Sequence, residues 1–309
     1  MKEYNIKNIK EEFKSKGIYY TQPEVAKYMM SLIDIQITDV YDPTCGSGSL
    51  LSVFPDNLPK FGQEINDHQL AIANEQLSNF TGYCGDTLKD PAFIDKRFSC
   101  IVANPPFSIK WEPPVGMFKD ARFADVPALP PPSKADYAFL LHIIHLLKHD
   151  GIAVILNFPG ILYRGNSEGI IRKWIIEQNL IEKVIAIPGK TFVDTTIATA
   201  LLVIKKNKIS TNVEFIDNET GLSRIVSTDE IVKNDYTLSV STYVQPEIQK
   251  QIINPVALQS LARRQTLTKL KAEIEMDKMI CELEGWDFSA YLDDLRILIE
   301  SYRAAETVR

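Results

Sequence analysis

Between Asp39 and Lys206, short β-rich runs alternate with helix-length segments, and few architectures accept that alternation. "DVYDP", "KFGQEI", "FTGYCG", "FSCIVANP", "GIAVILN", "IEKVIAIP" and "IATALLVIKK" read as strands. Several are nearly continuous apolar runs, the pattern of parallel strands covered on both faces. "DHQLAIANEQL" and "ADYAFLLHIIHLLKH" read as helices between strands, with apolar residues at helical spacing. The implied architecture is an open, doubly wound α/β sheet. After Lys206 the pattern changes: "NVEFID" admits one more strand, "TDEIVKNDYTLSVSTYV" is irregular, and the chain from Pro246 onward reads as helical. A boundary near Tyr243 separates an expected domain, 1–243, from an expected helical tail, 244–309.

Composition excludes some functions. No apolar run approaches the roughly 18 residues that span a bilayer, and "MKEYNIKNIK" lacks the apolar core of a signal peptide. The expectation is a cytoplasmic protein with no membrane partner. A net charge of −6 argues against a chain that coats nucleic acid unaided; tight phosphate contact requires a local basic face or a basic partner. Cys45, Cys84, Cys100 and Cys281 show no paired metal-type spacing. His142, His145 and His149 recur at helical spacing, but no Cys or carboxylate completes a coordination set with them, so no metal is expected.

Acids follow three successive strands. Asp42 ends the first, in "VYDPTCGSGSLL", where Gly46-Ser47-Gly48 lets the backbone pass close to a ligand. Glu64 ends the second, in "FGQEI", where an acidic side chain grips ribose hydroxyls. Asp86 follows the third, in "YCGDTL", where it either accepts from an adenine amino group or caps a helix. The turn is not the dinucleotide G-x-G-x-x-G, because only two glycines are present and an acid stands before them. Together the acids favour a nucleoside without pyrophosphate. S-adenosylmethionine fits, since its cationic sulfonium suits a negative pocket.

The fourth strand runs into Asn104-Pro105-Pro106-Phe107, and two adjacent prolines stop it. Either the prolines merely end the strand while Phe107 fills the core, or a rigid turn presents an amide, carbonyls and a ring to a flat polar substrate. The segment that follows, Ser108 to Ser133, is proline-rich and lacks periodicity; a loop that long is more often functional than idle.

These pieces carry a family resemblance. "GIYYTQPEVAKYMM", "YDPTCGSGSLL", "FGQEIND", "CGDTL", "NPPF", "SKADYAFLLHIIHLLKHDGIAVILN", "LYRGNSEGIIRKWIIEQNLIEKVIAIPGKTF" and "IATALLVIKK" occur in the order found in adenine-N6 DNA methyltransferases. More closely, the chain resembles the modification (M) subunit of type I restriction-modification systems. The resemblance implies a mostly parallel, seven-stranded sheet of the S-adenosylmethionine-dependent methyltransferase type. It implies that Thr21 holds the methionine part of the cofactor, with Tyr20, Thr44, Gly46, Ser47, Gly48 and Asn104 also in the cofactor site. Gln22 stands between Thr21 and Pro23, where the family has Thr-Pro. Asp136 resembles a position near the cofactor's adenine, and helix N-capping is an equal reading. Arg164 and Arg172 either touch DNA phosphate or hold the loop by ion pairing. Such subunits carry a helical N-terminal domain ahead of "YYT-P"; the expectation is a compact version or a partner that supplies it.

The same resemblance answers the question of the turn. An exocyclic adenine amine is a poor nucleophile because its lone pair is delocalised into the ring. The Asn104 side-chain carbonyl and the Pro105 backbone carbonyl, accepting its hydrogens, would localise that pair toward a sulfonium methyl. A duplex hides the base, so the nucleotide must be flipped. Phe107 would stack on it, and Phe192 lies where related enzymes place a second ring, unless it is core packing. The implied function is an adenine-N6 DNA methyltransferase subunit in a restriction-modification system. Its implied partners are double-stranded DNA, a separate DNA-specificity (S) subunit, two M to one S, and a restriction subunit. Leu267, Leu270, Ile274 and Cys281 form a helical stripe near coiled-coil spacing, and Met276, Ile280 and Leu283 fall off it; the tail either binds a partner or simply caps the fold. Competing readings are an RNA or protein-glutamine methyltransferase, which usually carries Tyr in place of Phe107, and a non-catalytic assembly module.

Overall fold

The computed structural model describes residues 21–113, 115–189, 198–245 and 255–306. The chain divides into two compact units, Met1–Glu247 and Ile248–Arg309. The first is built on a nine-stranded sheet in the order β3-β2-β1-β4-β5-β7-β6-β8-β9.

Its strands are β1 (Val40–Asp42), β2 (Lys60–Glu64), β3 (Phe80–Cys84), β4 (Phe98–Ala103), β5 (Leu147–Asn157), β6 (Ile181–Ile187), β7 (Thr199–Lys205), β8 (Val213–Asp217) and β9 (Leu222–Val226). All seven strands expected from the apolar runs are present. From β3 through β5 neighbouring strands pair in parallel, and β7 runs antiparallel between β5 and β6. The sheet is therefore doubly wound and mostly parallel, as expected, but it has nine strands and not seven. "NVEFID" pairs in parallel with β6, and a hairpin returns as β9 through Gly221 at φ 69°. β9 escaped notice because it is an edge strand with little buried surface to write a pattern.

Every residue of β4 is buried. Phe98, Ile101 and Ala103 enter one apolar layer, while Cys100 and Val102 enter the other. From Cys100 on the residues alternate between two covered faces, and the register shift after Phe98 puts that ring on the opposite layer from Cys100; burial on both faces explains the continuous apolar run. Helix α1 (Pro23–Ser31) buries Val25, Ala26 and Met29, and starts at a proline whose fixed φ suits a first turn. Helix α2 (Asp67–Gln76) is capped by the Asn66 side chain, which accepts from Gln69 N at 3.1 Å.

Helix α3 (Asp136–Leu146) is buried almost all round and stops at Leu146, short of the expected "KH". β5 begins immediately, because Leu147 already pairs with Phe98 ahead of a register shift. Gly151 makes this bulge possible: a Cβ there would meet the Phe98 and Ser99 carbonyl oxygens at 3.0 Å. Helix α4 is Asn166–Glu177. The stretch read as irregular holds α5 (Thr228–Lys233), capped by Ser227, and the short α6 (Val240–Tyr243). Tyr243 packs on Phe215 with ring centroids 4.3 Å apart.

The second unit consists of α7 (Pro255–Glu284) and α8 (Phe288–Glu306), joined through Gly285 at φ 70°. Tyr291 donates to Asp277 Oδ2 at 2.6 Å. Cys281 is buried and Ile274 half-buried, whereas Leu267, Leu270, Met276, Ile280 and Leu283 are exposed. No helix among the described residues is long and apolar enough to cross a membrane.

Candidate active site

Open α/β sheets bind ligands beyond the carboxyl ends of their strands. There the chain has a cavity of about 900 Å³, lined by Thr21, Asp42, Thr44, Gly46, Ser47, Glu64, Asp86 and Asn104 among others. Strand geometry gathers all of these but Thr21, which precedes α1, since β1, β2, β3 and β4 all end on that side.

The glycine turn after β1 is held through its own backbone amides, one bonded to a carbonyl and one to a carboxylate. Cys45 N donates to Gln63 O at 3.0 Å, and Gly46 N to Glu64 Oε2 at 2.9 Å. Gly48, at φ 87°, sits where a Cβ would meet Leu77 Cδ1 at 2.6 Å, so both backbone conformation and helix packing require glycine. Cys45 is buried, and a Cβ on Gly62 would meet its Sγ at 2.7 Å. Burial, together with Asp42 and Glu64, pushes its thiol well above the ordinary range. It is a packing residue.

The acids differ in what they already hold. Asp42, only 1% exposed, accepts from Thr44 N at 2.9 Å. Burial drives its carboxyl up to about 7, and Glu64 adds to the rise, while the Thr44 amide opposes it. Glu64 accepts from Gly46 N through one oxygen and from Asn66 N, also at 2.9 Å, through the other. Each carboxylate oxygen keeps a lone pair for a hydroxyl donor. Asp86 accepts from Leu88 N at 2.9 Å and Lys89 N at 3.3 Å, closing a turn and not capping a helix, since no helix starts there among the described residues, and it lines the cavity as well.

Asn104 stands on the cavity wall, its Nδ2 donating to Thr21 Oγ1 at 3.0 Å. That bond leaves the amide oxygen as acceptor. Pro105 is buried and Pro106 lines the cavity. Phe107 is half-buried against the apolar layer that holds Val25, Met29 and Leu156, and it is not among the lining residues. Tyr20 and Phe192 lie outside the described residues.

The long loop closes over the site. Trp111 N donates to Pro132 O and Trp111 Nε1 to Pro131 O, both at 3.0 Å, while Ala135 N donates to Ile109 O at 2.9 Å. Its base thus zips shut, and Lys110, Trp111, Pro132 and Ser133 join the lining. The sequence reading missed Arg122, which anchors this loop. Its guanidinium pairs with Asp120 at 2.7 Å and donates to the Thr87 and Leu88 carbonyls at 3.1 and 2.8 Å. It also reaches His142 Nδ1 at 3.3 Å. An arginine only donates, so Nδ1 accepts, and the other ring nitrogen, 3.3 Å from Tyr41 Oη, carries the proton. Burial, reinforced by Arg122, lowers His142 to about 3 and keeps it neutral. An arginine following an aspartate by two residues within a structureless loop was the available signal.

Arg164 and Arg172 hold protein. Arg164 pairs with Asp136 and Glu168, each at 3.3 Å, and Arg172 donates to the Arg164 and Tyr236 carbonyls at 2.7 and 2.8 Å. The loop-holding alternative is what the geometry contains. Asp136 is not a lining residue of the cavity.

A doubly wound sheet with acids at three successive strand ends, and an Asn-Pro-Pro-Phe turn at the fourth, has the fold of the S-adenosylmethionine-dependent methyltransferases. Comparison narrows the class. The model of the N-6 DNA methylase family matches residues 1–223, and the chain belongs to that family. It is 32% identical over 298 residues to the methylase subunit of type I restriction enzyme MpnII of Mycoplasma pneumoniae, covering 77% of this chain and 55% of that protein. It is 29% identical over 329 residues to the methylase subunit of type I restriction enzyme MjaVII of Methanocaldococcus jannaschii, covering 87% of this chain and 56% of that one. A crystal structure of the type I restriction-modification methyltransferase subunit of Streptococcus thermophilus superposes with a TM-score of 0.66 at 32% identity, over 74% of this chain and 59% of the other. The chain thus spans a little over half the length of these relatives.

Proposed function

We propose that this chain is the methyl-transferring subunit of a type I restriction-modification system, acting on N6 of adenine in DNA. The observation that carries the reading is the Asn104 amide, held by Thr21 at the edge of a cavity lined by Asp42, Glu64 and Asp86.

The cavity fits S-adenosylmethionine. Its volume suits a nucleoside ligand. Asp42 is buried with no ion-pair partner among the described residues, so a cationic ligand would compensate its carboxylate. Glu64 offers remaining lone pairs to ribose hydroxyls, and Asp86, in the lining of the same cavity, would accept from an adenine amino group. When bound, the cofactor supplies the sulfonium methyl group. The chain's own part is orientation. Asn104 Oδ1 and the Pro105 carbonyl accept the two hydrogens of the target amine and localise its lone pair. The target adenine leaves the duplex to reach them. Phe107 then retains it by stacking, which requires the ring to turn out of the apolar layer.

Recognition of a DNA sequence belongs to a partner. The net charge of −6 leaves phosphate contact to another chain, and α7 and α8 expose Leu267, Leu270, Met276, Leu283, Ile297 and Leu298. A DNA-specificity subunit with helical spacers, bound by two copies of this chain, would cover those residues.

Labelled methyl transfer tests the reading. The full chain, with and without its specificity subunit, receives methyl-labelled S-adenosylmethionine and either DNA, RNA or cellular protein. N6-methyladenine in DNA, formed only with the partner present, is the expected product. Label in RNA or in protein glutamine, and none in DNA, overturns it.

A further inference from the structure

The residue after the Asn-Pro-Pro-Phe turn is conformationally unusual. Ser108 has φ 53°, in the left-handed region that a serine rarely occupies without local compensation. Ser108 N donates to Asp136 Oδ1 at 3.1 Å, and Ser108 Oγ accepts from Arg164 Nη2 at 2.8 Å. Arg164 Nη1 in turn lies 3.3 Å from Asp136 Oδ2 and 3.3 Å from Glu168 Oε1. The side chains of Asp136 and Glu168 are 1% and 6% exposed, so these charge-assisted bonds act away from water.

Two separate elements therefore meet on one backbone position, the first turn of α3 and the loop before α4, and α4 holds that loop through Glu168. A guanidinium fork satisfies both carboxylates and the hydroxyl at once, which a lysine has no geometry to do. Arg164 is itself confined. A Cβ on Gly160 would lie 2.5 Å from its Nε and 2.6 Å from its Nη2, and Arg164 N donates to Gly160 O at 3.0 Å.

We infer that Asp136 and Arg164 form a clamp on Ser108 that sets the position of the 104–107 turn, and that both are positioning residues for methyl transfer. The inference rests on the function proposed above. Asn104 is held from one side by Thr21, and the clamp fixes the other end of the same short segment. Two rigid prolines between the anchors transmit any displacement of Ser108 to the Asn104 amide and the Pro105 carbonyl.

Gly160→Ala is the sharpest probe. The added methyl meets the movable end of Arg164, outside the cavity lining, and pushes the guanidinium off Ser108 and Asp136. Asp136→Ala removes the acceptor outright, and Asp136→Asn restores the acceptor for Ser108 N without the charge. Each is made in the full chain and measured in two ways. Hydrogen exchange at the Ser108 amide reads the clamp with no substrate. Single-turnover methylation of DNA from a methylation-deficient host, in the assembly with the specificity subunit, reads its consequence. In Asp136→Ala the Ser108 amide exchanges roughly tenfold faster or more, from the loss of one charge-assisted bond. In Gly160→Ala and Asp136→Ala the methylation rate falls, on the order of a hundredfold for a displacement of about 1 Å. Cofactor affinity stays at the wild-type value in Gly160→Ala while its melting temperature falls, because the buried Asp136 and Glu168 carboxylates lose their cation, and Asp136→Asn recovers part of the rate. Unchanged exchange at Ser108 in Asp136→Ala overturns the clamp whatever the activity. Faster exchange with an unchanged methylation rate overturns the positioning role. If exchange responds as expected but the wild-type assembly methylates no DNA, the clamp stands and the methyl-transfer reading falls.

Discussion

The side-chain amide of Asn104 donates to the hydroxyl of Thr21 at 3.0 Å, across 83 positions of sequence. The resemblance assigned Thr21 to the methionine part of the cofactor, and its place on the cavity wall is compatible with that. The bond adds a second task, because it orients the Asn104 amide so that the oxygen remains free to accept.

Thr21→Val keeps the shape of the side chain and removes the acceptor for Asn104 Nδ2. Its expected effect is a drop in kcat of about tenfold, one lost hydrogen bond, with a smaller change in cofactor affinity. Thr21→Ser keeps the hydroxyl and stays within a few-fold of wild type. Equal kinetics for Val and Ser would remove the orienting role.

Asp42→Ala or Glu64→Ala should weaken S-adenosylmethionine binding severely, as measured by calorimetry. Near-wild-type affinity in both variants would exclude the cavity as the cofactor site.

Binding should also depend on pH through Asp42. Its folded-state carboxyl is raised to about 7 from the usual 3.8, so the ligand-free fold holds a proton that the unfolded chain releases. The stability this proton contributes is complete below the unfolded value and is lost as pH rises from about 4 to 7. A cationic ligand favours the ionised form, so affinity rises with pH up to about 7 and binding near pH 6 releases a proton. Calorimetry in two buffers of different ionisation enthalpy measures that release, and Asp42→Asn should abolish it.

Asn104→Ala should abolish methylation while leaving cofactor affinity largely intact, because the role proposed for Asn104 is to orient the acceptor amine. Phe107→Ala should lose activity by failing to hold the flipped base, whose stacking is worth roughly 1–3 kcal/mol. With 2-aminopurine at the target, the fluorescence gain on binding should be smaller in Phe107→Ala than in wild type. Phe107 is half-buried against the apolar layer that includes Val25 and Leu156, so the variant also loses about 2 kcal/mol of stability, which a denaturant titration reads.

Truncation after Tyr243 should preserve cofactor binding and abolish co-purification with the specificity subunit. A truncated chain that still assembles and methylates the same sites would reduce α7 and α8 to a structural cap.

The main strands of the sheet and the acids around the cavity were legible in the amino-acid sequence. Parallel strands covered on both faces write continuous apolar runs, and an acid or an Asn-Pro-Pro turn at a strand end is a local feature, legible without knowing what lies beside it. Asp42, Glu64, Asp86 and Asn104 could be named for that reason. What each of them holds became fixed only when the chain folded. The Thr21–Asn104 bond, the Gly46–Glu64 bond and the Asp136–Arg164 clamp join residues far apart in the chain, and nothing in local periodicity registers such a pairing. The same limit hid β9, whose edge position buries too little to leave a pattern, and Arg122, a charged residue in a loop until its carbonyl, carboxylate and imidazole partners surround it. Burial patterns are encoded residue by residue; hydrogen-bond partners of buried polar groups exist only once the strands have brought them together.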